Sequence, residues 1–85
     1  MDIGVAVAAH ARKTPGADAA FEGDRTLSYA ELDERTNRLA NLLQGRYGVA
    51  PGERVAVLLR NRLEVAEAIV GVTKAAGVYC GLNFR

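Results

Sequence analysis

The chain has 85 residues, enough for one domain or part of one, and a net charge of +1 leaves no basic field to attract a polyanion. A hydrophobic fraction of 49% beside 25% charged residues is typical of a soluble globular chain, so neither a nucleic-acid partner nor a membrane surface is expected. Cys80 has no second cysteine to pair with, no segment is long enough to span a bilayer, and the N-terminus lacks the basic-then-apolar pattern of a leader, so the expected compartment is the cytoplasm.

Ile3, Ala6, Val7, His10 and Ala11 recur at helical spacing, and Thr14-Pro15-Gly16 then stops the element, which predicts a short helix over residues 3–12. Ala19-Ala20-Phe21 and Thr26-Leu27 flank Glu22-Gly23-Asp24-Arg25. Glycine and aspartate tolerate the positive φ of tight turns, so this stretch reads as a small hairpin. Ser28 precedes Glu31 by three residues in the form of a capping box, and Leu32, Thr36, Leu39, Leu43 and Tyr47 make one stripe, predicting a helix from about Tyr29 to Tyr47. Asp33, Asn37, Arg38, Asn41 and Gln44 fall on its wet side. Glu31 with Arg35 and Glu34 with Arg38 have the favourable i,i+4 order, and Gly48 suits the left-handed position that ends such a helix.

After Pro51-Gly52-Glu53, residues 55–59 are apolar at every position, the pattern of an interior parallel strand covered on both faces. Asn61 then stands three residues before Glu64 as a candidate N-cap. The helix that follows is nearly all apolar through Val65, Ala66, Ile69, Val70 and Thr73 towards Gly77, so it must be buried on most sides. Val78-Tyr79-Cys80 supplies the next strand. Residues 55–82 therefore form a βαβ unit, for which a right-handed crossover is expected. The expected fold class is α/β: a partial N-terminal subdomain, residues 1–85, with a small hairpin and a parallel βαβ unit flanked by helices. A doubly wound sheet needs more strands than this, and the chain reads as cut off after Arg85.

Four features invite a chemical reading. His10 has no cysteine or acidic partner at metal-ligand spacing, and a surface or interface histidine is the simpler account. Cys80 lies in an apolar strand, where a small buried thiol packs and stays inert. Lys74 stands near a helix C-terminus, where a cation complements the macrodipole. In Arg60-Asn61-Arg62, a cap with two solvated arginines accounts for the residues more simply than a phosphate contact. The turns at Pro15-Gly16 and Pro51-Gly52 lack the repeated glycines and following lysine of a phosphate-cradling loop.

The order of three segments resembles that of adenylate-forming (AMP-binding) enzymes over nearly the whole chain. Leu27-Ser28-Tyr29-Ala30-Glu31-Leu32, preceded by Phe21-Glu22-Gly23-Asp24-Arg25, resembles the first core motif of that superfamily. Val49 to Leu59 is similar to its PGDRVA strand entry, and Lys74 to Asn83 to its second core motif. Gly81-Leu82-Asn83-Phe84-Arg85 looks like the ending found in acyl-CoA and aryl-CoA synthetases, whereas peptide-synthetase adenylation domains usually carry aspartate at the place of Asn83. Arg60 and Gly81 stand where proline is common, and Ala76-Gly77 where glycine usually comes first. The resemblance implies carboxylate adenylation followed by thioester formation in a parent enzyme that uses Mg-ATP and coenzyme A. The phosphate loop, the ribose-binding acid and the catalytic lysine are expected beyond Arg85. No catalytic, cofactor-binding or metal residue is assigned to residues 1–85. Their expected partner is the remainder of the parent enzyme, which would act on a carboxylic acid, and in isolation they are expected to self-associate and to be inactive. A peptide-synthetase-type fragment, a non-catalytic binding module and a remnant of a shortened gene are the alternatives.

Overall fold

Asp2 starts the first helix by turning its carboxylate back onto the chain, accepting the Gly4 N–H at 2.7 Å. The computed structural model describes residues 2–59 and 62–82. Helix α1 runs over Ile3–Lys13, with His10, Arg12 and Lys13 in the last turn, where cations meet the negative end of the helix dipole. It stops where Thr14 donates its N–H to the His10 carbonyl at 2.8 Å.

Strands β1 (Asp18–Glu22) and β2 (Arg25–Ser28) pair antiparallel around a two-residue turn, as expected. Gly23 takes φ +58°, and Asp24 does not share that conformation, so glycine alone supplies the positive φ of the turn. The register sets Ala20 opposite Leu27 and Phe21 opposite Thr26. Leu27 is buried while Phe21 is 74% exposed, so one face of the hairpin meets the helices and the other meets solvent.

Helix α2 (Tyr29–Gly45) begins at the capping box read from the sequence. The Ser28 hydroxyl accepts the Glu31 N–H at 3.1 Å, and Glu31 accepts the Ser28 N–H at 2.9 Å. Ser28→Ala is expected to cost about 0.5–2 kcal/mol, because one helix donor loses its acceptor. A urea melt of the two proteins checks this, and equal midpoints at equal slope would count against the cap. Leu32, Thr36 and Ala40 are buried and Leu39 and Leu43 half-buried, but Tyr47 is 65% exposed. The stripe fails at Tyr47 because the helix ends two residues earlier, at Gly45. Gly48 is left-handed (φ +62°), past that end. Thr36 is fully buried, and its hydroxyl donates to the Leu32 carbonyl at 2.7 Å, which removes the cost of an unpaired polar group.

Strands β3 (Arg54–Val57) and β4 (Val78–Gly81) pair in parallel through helix α3 (Arg62–Lys74), giving the βαβ unit. The strand is shorter and more open than the apolar run implied. Val55 and Val57 are half-buried, Ala56 is exposed, and Leu58 and Leu59 lie beyond the strand, 53% and 39% exposed. Among the described residues β3 has β4 as its one partner, so it is an edge strand here, and the exposure of Ala56 shows that its outer face is uncovered. Asn61, the cap candidate, lies outside the described residues. Helix α3 is covered on most sides, as its composition demands: Leu63, Ala68, Val70, Gly71 and Val72 are buried, and it touches α1, α2, β1 and β4. Val7, Leu27, Leu32, Leu63 and Val70 form the core, with Ala19 and Ala20 of β1 against them.

The residue that turns the chain out of α3 is Ala76, at φ +61°, rather than Gly77. A side chain in that conformation crowds the following carbonyl, which is the physical reason a glycine suits this position better. Ala76→Gly is therefore expected to raise stability by about 1 kcal/mol, with a higher urea midpoint as the measurement. Unchanged or lower stability would show that the turn carries no strain.

Candidate functional site

Charged side chains tie the elements together in two places. Arg25 of β2 holds two carboxylates. Its guanidinium meets Glu22 of β1 at 2.5 Å and grips Glu64 of α3 in a fork, at 2.6 and 3.2 Å. The second oxygen of Glu22 accepts the Arg62 N–H at 3.0 Å. That hydrogen bond, more than the neighbouring guanidinium, holds the Glu22 carboxyl below the usual carboxylate range. The bond to Glu64, followed by that to Glu22, raises the Arg25 guanidinium above its ordinary value. Glu31 is likewise lowered, first by the Ser28 N–H it accepts. A carboxylate lowered by folding stabilises the fold above its unfolded pKa, and that contribution is lost as pH falls through the folded value.

The second place joins α3 to α2. Lys74 donates to Asp33 Oδ1 at 2.6 Å, to Asn37 Oδ1 at 2.8 Å and to the Asp33 carbonyl at 3.3 Å, with 11% of its side chain exposed. The helix dipole alone is thus an incomplete account of Lys74. Its main partners are two residues that α2 would otherwise turn to water. Arg35 also differs from expectation: its partner is Glu67 of α3 at 3.0 Å, not an ion pair with Glu31. A link to a packed helix replaces a pair along the surface of one. Glu34 and Arg38 do pair, as their spacing predicts.

The other singled-out residues occupy separate places. His10 is exposed and stacks on Tyr29, with ring centroids 4.9 Å apart and 26° between planes. Among the described residues no group of three His, Cys, Asp or Glu could hold a metal ion. Cys80 is half-buried in β4, less enclosed than its apolar neighbours in sequence suggested. Of the basic cluster, Arg60 and Asn61 lie outside the described residues, and Arg62 is exposed at the start of α3.

Two of the open apolar grooves among the described residues border the helices and the parallel strands. One, of about 420 Å³, lies between α1, α2, α3 and β1 and includes Val7, His10, Tyr29, Leu32 and Ile69. The other, also of about 420 Å³, runs along β3 and includes Leu39, Leu43, Val55, Leu58 and Val72. Paired charges that fasten elements and apolar surface left open suit packing; proton or phosphoryl transfer needs free groups converging on one point. Sequence spacing could not show the contacts of Glu22 with Arg62 or of Lys74 with Asp33, because each joins residues about forty positions apart.

Comparison with known proteins agrees with this architecture. The AMP-binding enzyme family matches residues 7–85. A "Medium/long-chain-fatty-acid--CoA/3-oxocholest-4-en-26-oate--CoA ligase" of Mycobacterium marinum is 43% identical over 63 residues, which is 74% of this chain and 11% of that protein. One of the plipastatin synthase subunits of Bacillus subtilis is 42% identical over 73 residues, 86% of this chain and 2% of that protein. The solved structure of a Mycobacterium tuberculosis fatty acyl CoA synthetase superposes with a TM-score of 0.87 at 31% identity, covering 99% of this chain and 17% of that one. The chain thus spans about a tenth or less of the length of these two curated relatives. On the matched residues and the shared fold, it belongs to the AMP-binding enzyme family.

Proposed function

We propose that residues 1–85 are the N-terminal scaffold of a cytoplasmic ATP-dependent acyl-CoA or aryl-CoA synthetase whose phosphate loop lies in other residues, and that they are inactive alone. The observation that carries this reading is the family match over residues 7–85, with a CoA ligase 43% identical among its relatives. The parent enzyme would adenylate a carboxylic acid and transfer the acyl group to a thiol, with Mg-ATP and coenzyme A as co-substrates. The reading assigns no nucleotide contact to the described residues. The N–H of Arg62, at the start of α3, already donates to Glu22, and the amides of Gly52 and Glu53 already donate to the Ala76 and Ala50 carbonyls. What these residues supply is packing: exposed Leu58, Val78 and Leu82 on the sheet side are surface for the remainder of the enzyme to cover.

The test is product analysis on the parent enzyme. AMP and pyrophosphate released with a fatty or aryl acid and free coenzyme A support the reading. Activation of an amino acid with loading of a carrier-protein thiol alone would replace it with the peptide-synthetase reading, whose support is the 42% identity to a plipastatin synthase. For residues 1–85 alone, calorimetric titration with Mg-ATP is expected to show no binding, and sedimentation is expected to show self-association. A saturable ATP signal from a folded monomer would favour a self-sufficient module.

A further inference from the structure

The hairpin and α3 are joined by a closed ring of contacts. Glu22 ends β1, Arg25 begins β2, and Glu64 lies in the first turn of α3. Arg25 bridges the two carboxylates, and Glu22 returns to the helix backbone through the Arg62 N–H at 3.0 Å. Each contact supports the next. Without the guanidinium, Glu22 and Glu64 would face each other as like charges, and the Glu22 carboxylate would be pushed off the Arg62 amide that it caps.

We propose that Glu22, Arg25 and Glu64 form a latch that makes the hairpin and the first turn of α3 open and close as one unit. The position of the latch gives this coupling a role. Helix α3 begins after the carboxyl end of β3, and open parallel sheets bind ligands beyond the carboxyl ends of their strands. A hairpin fastened to the first turn of α3 thereby holds the start of that helix on that side of the sheet. The inference goes beyond the proposed reaction and is independent of the substrate of the parent enzyme.

Native-state hydrogen exchange on the protein that carries this chain follows each opening separately. Arg25→Glu is expected to speed exchange at the β1–β2 amides and at the Arg62 amide together, by about two- to fivefold, the range of an exposed ion pair. Adding Glu64→Arg to that variant should restore slow exchange at both, because the charges are then complementary again. Glu34→Gln, which breaks the unrelated pair with Arg38, should change neither. The proposal is overturned if the hairpin amides accelerate while the Arg62 amide does not, or if Glu64→Arg brings no recovery. Where Arg25→Glu prevents folding, Arg25→Gln is read by the same criterion: joint acceleration supports the latch and separate behaviour refutes it.

Discussion

Lys74→Ala is expected to destabilise the protein by about 2–3 kcal/mol, between the value of an exposed ion pair and that of a fully buried one. The intermediate figure follows from burial, since 11% of the Lys74 side chain and 25% of that of Asp33 are exposed. Truncation removes three hydrogen bonds and leaves the Asp33 carboxylate, partly shielded from water, without its cation. It also empties the place where the lysine stem packs: a Cβ added at Gly4 of α1 would lie 2.8 Å from Lys74 Cγ. A double-mutant cycle with Asp33→Asn separates charge from packing. A coupling on the order of 1 kcal/mol or more between the two positions is expected, and additive effects would show that the Asp33 charge adds nothing to what Lys74 gains from Asn37, the Asp33 carbonyl and the packing of its stem.

Gly71→Ala should cost about 1–3 kcal/mol although alanine is the better helix former. The substitution meets Leu39. A Cβ built at Gly71 falls 2.5 Å from Leu39 Cδ2, 2.9 Å from Cγ and 3.1 Å from Cβ, too close to be relieved by rotating the tip of the leucine. Helices α2 and α3 must separate or Leu39 must leave its rotamer. In the double variant Gly71→Ala with Leu39→Ala the clash disappears, so the cost of the glycine change should vanish while that of the lost leucine remains. A urea midpoint raised by Gly71→Ala alone would mean that the helices are not in this contact.

How much of this was legible beforehand depended on the range of the interaction. The capping box at Ser28 and Glu31, the hairpin around Gly23 and the Glu34–Arg38 pair all join residues within four positions, and spacing reveals such contacts directly. Arg35, Lys74 and Glu22 find partners thirty or more positions away, where spacing carries no information. Ala76 shows the same limit: a departure from the glycine-first pattern was visible, but not that Ala76 itself takes φ +61°. As for the candidate site, Arg62 was visible as a basic residue, and only the fold shows its amide donating to a carboxylate of the hairpin.

The sequence by itself determined which segments are helices and which are strands, and the order of motifs that matches the family, because periodicity, capping and turn chemistry are properties of neighbouring residues. Only the tertiary structure decided which face of each element is covered. Val55 to Leu59 carries the composition of a strand buried on both sides, yet burial also needs matter to lie against. The described chain puts β4 along one edge of β3 and leaves its outer face, with Leu58 and Leu59 beyond it, open to solvent.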